Sequence, residues 1–381
     1  MTTSRIIEGD CREVMAVMDA ESVDSIVTDP PYGLSFMGKG WDRGVPGEEF
    51  WTEALRVAKP GAHLLAFGGT RMVHRLAVAI EDAGWEIRDR IHWVYGSGFP
   101  KSMNVAKAID ATLLVGNSGT RALRQTEQET GGKPYQLKGR NNGILGEPRT
   151  YDRKEWEPTT KEAQQWHGWG TALKPAVEPI ILARKPLAGT VAANVLEHGT
   201  GAINVDGCRV DMGDEYDPAK VQRQQAKGTA NISGAFGAES LVGKEIATYK
   251  PGGRWPANLI HDGSDEATAG MGDAERYFYC PKASKKDRGP DNKHPTVKPT
   301  ELMAYLCRLV TPPGGTVLDP FNGSGSTGKA AIREGFNYIG IEIDHEYAEI
   351  ARGRISAEEG SPSRYRSDEV GDAPLFTGEK V

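Results

Sequence analysis

Cysteine is scarce and scattered: the four cysteines of this 381-residue chain (Cys11, Cys208, Cys280 and Cys307) include no Cys-x-x-Cys pair. The chain therefore offers neither a zinc-ligand spacing nor a disulfide framework, no metal site is expected, and a reducing compartment suits it. Excess positive charge is missing as well, since 46 Lys and Arg face 52 Asp and Glu for a formal net charge of −6. A polyanionic partner must then be met by a local patch and not by the field of the whole chain. No run approaches the ~18 apolar residues that a membrane span needs. The start, Met1 to Arg5, leads into a strand-like run and not into a signal-type apolar segment. The expectation is a cytoplasmic enzyme without membrane association. Hydrophobic residues at 38% and charged residues at 26% suit one large globular domain, or one domain with a sizeable insertion.

The stretch that carries most chemistry is Thr28-Asp29-Pro30-Pro31-Tyr32-Gly33, directly after the apolar run Val23 to Val27. Asp29 supplies a carboxylate, Pro30 and Pro31 stiffen the backbone and lack an N–H, and Tyr32 supplies an aromatic face. A rigid loop rich in acceptors beside an aromatic ring suits a flat ligand with an amino group, which describes a nucleobase. Asp-Pro and Pro-Tyr-Gly are also ordinary turn chemistry, so a simple strand-ending turn is the competing reading.

Around this stretch, strands and helices alternate. Arg5 to Glu8 reads as a strand, and Asp10 opens a helix with Val14, Met15 and Met18 on one face. Asp10 fits either a helix cap or a ligand-holding carboxylate. A helix over about Glu49 to Val57 stops at Lys59-Pro60-Gly61. A strand at His63 to Phe67, a helix from about Met72 to Ala83 and a strand over 86–95 follow. The alternation predicts a parallel, doubly wound α/β sheet. Residues 34–49, with Phe36, Met37 and Trp41, read as a mobile loop over the site.

From about 96 to 170 the pattern breaks, and Lys101 to Glu162 carries 11 Lys and Arg against 8 Asp and Glu, a local reversal of the chain's sign. A stretch this long without periodicity is functional or disordered. A strand returns at Val177 to Ala183. Residues 206–275 form a second polar, glycine-rich segment with Trp255 and the run Arg223 to Lys227. Arg276 to Tyr279 reads as a strand that opens a basic, aromatic-led segment up to Lys298, suited to phosphate contact or equally to a solvated loop. Leu302, Met303, Leu306, Leu309 and Val310 predict a helix over Thr300 to Val310. A strand at Thr316 to Leu318, a helix at about Lys329 to Glu334, a strand at Asn337 to Ile341 and a helix near His345 to Ile355 complete the order.

Between the last two strands lies Asp319-Pro320-Phe321-Asn322-Gly323-Ser324-Gly325-Ser326-Thr327-Gly328, in which Gly323, Gly325 and Gly328 make a G-x-G-x-x-G. With acidic Glu342 at the end of the next strand, this is the pattern of an adenosine-type cofactor site. A carboxylate at Asp319 would repel a pyrophosphate and suits a cofactor bearing a free ammonium, such as S-adenosylmethionine. A glycine-rich structural turn is the alternative.

Taken together, Asp29-Pro30-Pro31-Tyr32, His294-Pro295-Thr296-Val297-Lys298-Pro299, the Asp319 to Gly325 loop and Gly340-Ile341-Glu342 resemble the amino-methyltransferases of DNA, which modify adenine N6 or cytosine N4. Two further segments, Trp93 to Lys101 and Lys174 to Pro179, look like ones that recur in phage and bacterial members. The order, catalytic loop early and cofactor loop late, is similar to the β group, a circularly permuted Rossmann-like methyltransferase sheet with polar insertions for DNA recognition. The resemblance implies that 1–100 is the catalytic half, 101–170 a polar insertion, 171–205 a return to the core, 206–275 an insertion and candidate target-recognition segment, 276–355 the cofactor half, and 356–381 a disordered tail.

It also implies a mechanism. The base is flipped out of duplex DNA and stacked on Tyr32, while Asp29 and the Pro30 carbonyl hold its amine. Pro31 completes the loop. Glu342 would hold the cofactor ribose, Asp319, Phe321, Gly323, Ser324 and Gly325 its methionine end, Asp10 the adenine side, and Thr296 the closing segment. Asp at position 29 leans towards adenine, where serine would lean towards cytosine-N4 and asparagine towards protein glutamine. A catalytically inactive DNA-binding regulator of the same fold is a further alternative. A restriction endonuclease partner and a homodimer are both open.

Overall fold

Every residue of the strand Val23–Thr28 is buried in the computed structural model of the chain, as a strand covered on both faces must be. The structure describes residues 2–33, 44–96, 98, 102–115, 156–211, 253–281 and 297–359. They belong to two units, one made of Met1–Gly96 with Val177–Val381 and the other of Ser97–Ala176. The strands are β1 (Ser4–Glu8), β2 (Val23–Thr28), β3 (Ala58–Phe67), β4 (Glu86–Val94), β5 (Val177–Arg184), β6 (Leu259–His261), β7 (Thr316–Asp319) and β8 (Asn337–Glu342). The helices are α1 (Cys11–Ala16), α2 (Glu48–Val57), α3 (Val73–Asp82), α4 (Val105–Val115), α5 (Lys161–Gln165), α6 (Val191–His198), α7 (Asp265–Thr268), α8 (Thr300–Val310), α9 (Ser326–Glu334) and α10 (His345–Ser356).

In the first unit the strands form one sheet in the order β1-β8-β7-β2-β3-β5-β4-β6. The N-terminal strand β1 lies parallel to the C-terminal strand β8, Ser4 beside Tyr338 and Glu8 beside Glu342. Side chains on β2 alternate between two cores. Val27 points to one face with Leu65, Phe67 and Val317, packed under α8 and α9. Ile26 points to the other with Leu64 and Leu318, packed under α1, α2 and α3, where Trp51 and Trp85 lie. The Trp85 indole donates to the Trp51 carbonyl at 3.0 Å, so the second core closes without an orphaned ring N–H at that point. Helix α8 is buried at nine positions of its length, and Arg308 ties it to α9 through a bidentate pair with Glu334 at 2.6 and 2.8 Å.

β7 and β2 run parallel, and the direction in which successive strands are added to the sheet reverses between them. From β7 the chain crosses through α9 to β8 on one side, and from β2 it crosses through α2 to β3 on the other. The crevice outside the carboxyl ends of two such strands is where open α/β sheets hold ligands. β7 delivers Asp319 there and β2 delivers Asp29.

Three features differ from the pattern expected of the sequence. β5 runs antiparallel between β3 and β4. It pairs directly with β4 instead of following it by a helical crossover on the sheet, so it returns in the opposite direction. Arg276 to Tyr279 is not a strand: Gly272–Tyr277 is a 3-10 turn, and the Tyr279 ring stacks on Tyr305 of α8 at 3.9 Å and 13°, leaving a single bridge to Ile260. Finally, part of the 206–275 segment joins the sheet as β6, parallel to β4.

The second unit contains α4 and α5, in a stretch whose sequence carries no helical periodicity. Asn104 accepts from the Lys107 N–H at the start of α4, and the Thr160 side chain caps α5. Asp110 of α4 accepts from the Thr159 N–H, the Thr160 N–H and the Thr160 hydroxyl at 2.7, 2.9 and 2.6 Å, which pins the two helices together.

Candidate active site

Asp29 is the first residue beyond β2, with its side chain one quarter exposed. Pro30 is buried, Pro31 and Tyr32 are half-buried, and the turn closes on Gly33 at φ +68°, a left-handed conformation that a side chain would strain. The Tyr32 ring lies over the backbone beyond β3, so close that a Cβ on Gly69 would stand 3.2 Å from its Cδ2. Gly69 thus forms the floor under one edge of this ring.

Lys298, two residues before α8, reaches this loop. Its Nζ donates to Asp29 Oδ2 at 2.7 Å and to Tyr32 Oη at 3.1 Å, and it pairs with Glu178 Oε2 at 3.1 Å. The Tyr32 hydroxyl lies 2.8 Å from Asp29 Oδ1 and 3.0 Å from Glu178 Oε2. The Phe67 ring stands 4.9 Å from the ammonium and excludes water from that side. Burial alone would lower the Lys298 pKa, but the carboxylates of Asp29 and Glu178 outweigh it and hold the lysine charged. Tyr32 is pushed upward by burial and then by Asp29 and Glu178, so its phenol keeps its hydrogen. Tyr95, just beyond β4, is raised to about 12, first by burial and then by the nearby Glu178 carboxylate. The reversed direction of β5 makes the cluster possible, because it places Glu178, at the start of β5, beside the carboxyl end of β3, where the Gly68 N–H donates to the Pro179 carbonyl at 2.9 Å.

On the other side of the crevice stand the residues of the β7 and β8 ends. Asp319 is buried and accepts from the Thr28 hydroxyl at 2.6 Å and from the Phe321 N–H at 3.1 Å. Burial raises its pKa to about 6, against the hydrogen bonds of Thr28, Thr327 and the Phe321 backbone, with the Asp29 charge adding to the rise. The two oxygens of Glu342 accept one N–H each, from Gly323 at 2.6 Å and from Asp344 at 2.9 Å, and burial raises its pKa as well. Each oxygen keeps a lone pair for a hydroxyl. The Phe321 ring lies 5.8 Å from Phe50 and 6.1 Å from Trp51.

Other expected site residues serve the fold first. Asp10 caps α1 and binds Arg12 bidentately at 3.1 and 2.7 Å, and Arg12 in turn lies 4.8 Å from the Phe50 ring. Asp10 still sits beside Glu342, since the Gly9 N–H donates to the Glu342 carbonyl. Ser324 turns its carbonyl and hydroxyl to Arg354. Gly325 sits at φ +78° with α10 so near that a Cβ would stand 3.0 Å from Ala351 and Ile355, so the close approach it permits is helix packing. Thr296 lies outside the described residues, as do Phe36, Met37 and Trp41, the run Arg223 to Lys227, most of the basic stretch before Lys298 and residues 360–381 of the expected tail.

Lys298, Glu178 and Tyr95 lie in segments that resemble the family, but the sequence reading gives them no role of their own. The signal was present: a lysine directly ahead of an apolar helix, and a glutamate inside the apolar strand Val177-Glu178-Pro179-Ile180. Opposite charges at positions the pattern buries must find each other.

The group that fits the second half of the crevice carries hydroxyls, a flat ring and a cation. Glu342 offers free lone pairs, Phe321 and Phe50 offer aromatic faces, and Asp319 is a buried carboxyl whose ionisation a cation would favour. Among the described residues no group of three or more His, Cys, Asp or Glu is placed to hold a metal ion. No described helix is long and apolar enough to cross a membrane.

A family profile described as DNA methylase, for N6 and N4 methylation, matches residues 23–353. The type II methyltransferase M.HindIII of Haemophilus influenzae is 22% identical over an alignment covering 90% of this chain and 92% of that protein. The type II methyltransferase M2.DpnII of Streptococcus pneumoniae is 48% identical over 66 residues, which span 17% of this chain and only a quarter of that relative's length (25%). Among solved structures, the M1.HpyAVI–SAM complex is 17% identical at a TM-score of 0.43, covering 93% of this chain and 99% of that one.

Proposed function

The chain belongs to the N6/N4 DNA methylase family, and we propose that it transfers a methyl group from S-adenosylmethionine to the exocyclic N6 of adenine in duplex DNA. The observation that carries this reading is the pinning of Asp29. Lys298 and the Tyr32 hydroxyl each occupy one site on its carboxylate. A carboxylate accepts at about four lone-pair sites, so others remain for an incoming amine. A preformed, partly exposed acceptor of this kind localises the amine lone pair towards the methyl donor without reorganising during the reaction. The flipped base would lie on Tyr32, whose ring is held by the tether of its hydroxyl and by the backbone at Gly69.

When bound, S-adenosylmethionine supplies an electrophilic methyl on a sulfonium. Glu342 would hold its ribose hydroxyls, Asp319 with Gly323, Ser324 and Gly325 its methionine end, Asp10 the adenine side and Thr296 the closing segment, while Phe321, expected at the methionine end, stands beside Phe50 and would face the adenine instead. Pro30 and Pro31 keep the Asp29 loop from relaxing. Aspartate at position 29 supports adenine over cytosine-N4, and the type II names of two relatives support a restriction–modification setting with an endonuclease that reads the same site.

Labelled S-adenosylmethionine incubated with duplex DNA, followed by digestion to nucleosides, tests this reading. N6-methyladenine is expected; N4-methylcytosine would replace the substrate, and no transfer with DNA binding retained would refute the enzyme. Asp29→Ala should abolish transfer while cofactor binding persists.

A further inference from the structure

The cluster of Asp29, Tyr32, Glu178 and Lys298 contains one contact more than it has hydrogens. Lys298 Nζ makes three contacts, to Asp29 Oδ2, Glu178 Oε2 and Tyr32 Oη. Tyr32 Oη makes two more, to Asp29 Oδ1 at 2.8 Å and Glu178 Oε2 at 3.0 Å. With both carboxylates ionised, the ammonium brings three hydrogens and the phenol one. Four hydrogens serve five contacts, and the phenol can point at only one of its two carboxylates. The cluster is therefore built to accept one further proton. Amine methylation releases one.

We propose that Tyr32 and Glu178 form the proton outlet of the transfer site, relaying to Glu178 the proton that the target amine loses to Asp29. The proposal rests on the amino-methyltransferase reading above and adds the fate of the proton. The amine lone pair forms the new N–C bond while the methyl's bond to sulfur breaks and leaves its electron pair on sulfur. The amine nitrogen gives a proton to Asp29. Asp29 passes a proton through Oδ1 to Tyr32 Oη as Tyr32 hands its own hydrogen to Glu178 Oε2. At the end Asp29 is ionised again, the phenol is intact, Glu178 is neutral, and all five contacts hold a hydrogen. One methyl enters, one proton leaves, and no further reactant is needed.

The surroundings suit the direction of this relay. Lys298 stays charged throughout and favours anionic carboxylates at the start. The half-buried Tyr95, just beyond β4, stands near enough to Glu178 to feel its charge and offers the proton a next group.

Two variants decide the matter. Glu178→Gln keeps an acceptor oxygen in place but takes no proton, and Tyr32→Phe keeps the stacking ring but cuts the relay. Each should slow single-turnover transfer at saturating DNA and S-adenosylmethionine by about a hundredfold or more, the usual reach of general acid–base catalysis. Dissociation constants for S-adenosylmethionine and for duplex DNA should stay unchanged in both, and the double variant should be no slower than the slower single. Time-resolved infrared spectra of the wild-type turnover should contain a transient protonated-carboxyl band that Glu178→Gln lacks. A wild-type rate for Glu178→Gln, losses that multiply in the double variant, or no such band in the wild type would each overturn the relay. Absence of any methyl transfer by the wild-type protein would instead overturn the methyltransferase reading, and that is seen before any variant is compared.

Discussion

The Thr28 hydroxyl donates to Asp319 Oδ1 at 2.6 Å across 291 positions of chain. The bond joins the last residue of β2 to the last residue of β7, and so joins the Asp29 loop to the Asp319 loop on the other side of the crevice. β2 and β7 are direct neighbours, with Ser25 beside Val317 and Ile26 beside Leu318. The two loops diverge from adjacent strand ends, and the hydroxyl fixes the spacing between them. Thr28→Val keeps the branched shape and removes the donor. It should cost about 1–3 kcal/mol of stability, the usual penalty for stripping a partner from a buried carboxyl, and should loosen S-adenosylmethionine binding. Denaturant melts and calorimetry report both; an unchanged cofactor affinity would separate Thr28 from the pocket.

Asp319 gives a pH dependence with a definite sign. Its pKa is about 6 in the folded chain against 3.8 for the free residue, with burial as the main cause. Between these values the folded state binds the proton that the unfolded state has released, so this group's contribution makes stability fall as pH rises from about 4 to 6 and level off above. Asp319→Asn removes the effect and should stabilise the ligand-free protein near neutral pH by roughly 2–3 kcal/mol, the size that a shift of this order implies. Cofactor affinity should move the other way. An ammonium needs the carboxylate, so binding to the wild type weakens below about pH 6, while the asparagine variant binds weakly at every pH. Thermal melts and binding titrations across pH 5 to 8 measure both trends; a flat wild-type binding profile would remove Asp319 as the ammonium partner.

Much of this was legible in the sequence because the informative elements are locally determined. The apolar positions Leu302, Met303, Leu306, Leu309 and Val310 repeat at helical spacing, and α8 covers the expected residues. Asp29, Asp319 and Glu342 each follow a strand and are found at a strand's carboxyl end. The rest depends on contacts that no local pattern encodes. The direction of β5 is set by its pairing between β3 and β4, not by its own composition. The extended look of Arg276-Tyr277-Phe278-Tyr279 yields to the stacking of Tyr279 on Tyr305. Lys298 and Glu178 are 120 positions apart by number and acquire meaning only when both meet Asp29.

The Lys298 ammonium is the keystone of that meeting, and its removal has a large expected effect. Its side chain is 10% exposed and those of Asp29 and Glu178 are 25% and 20% exposed. Deleting the cation leaves two carboxylates on one phenol with nothing to balance them. Lys298→Met should therefore destabilise the protein by about 3–5 kcal/mol, the range for breaking one partner out of a buried ionic group. Lys298→Met combined with Glu178→Gln should recover part of that loss, because the second change removes one of the unpaired charges. Urea titration of the three variants measures the coupling; strict additivity would mean that Lys298 acts on its surroundings by packing and not by charge.

Glu342 allows the sharpest separation of a ligand role from a structural one. Its Oε2 takes the Gly323 N–H at 2.6 Å and its Oε1 takes the Asp344 N–H at 2.9 Å. Glu342→Gln preserves size but can accept at only one of these positions, and its amide group must face an N–H at the other. If the residue served only the turn, the cost would appear in stability alone. The ribose assignment predicts a second loss: S-adenosylmethionine affinity should fall by about tenfold or more, the equivalent of one hydrogen bond to a charged acceptor. Methionine, which has no ribose, should compete for the site equally well in both proteins. Competition calorimetry distinguishes the two roles, and a proportional loss for methionine and S-adenosylmethionine would assign Glu342 to the turn.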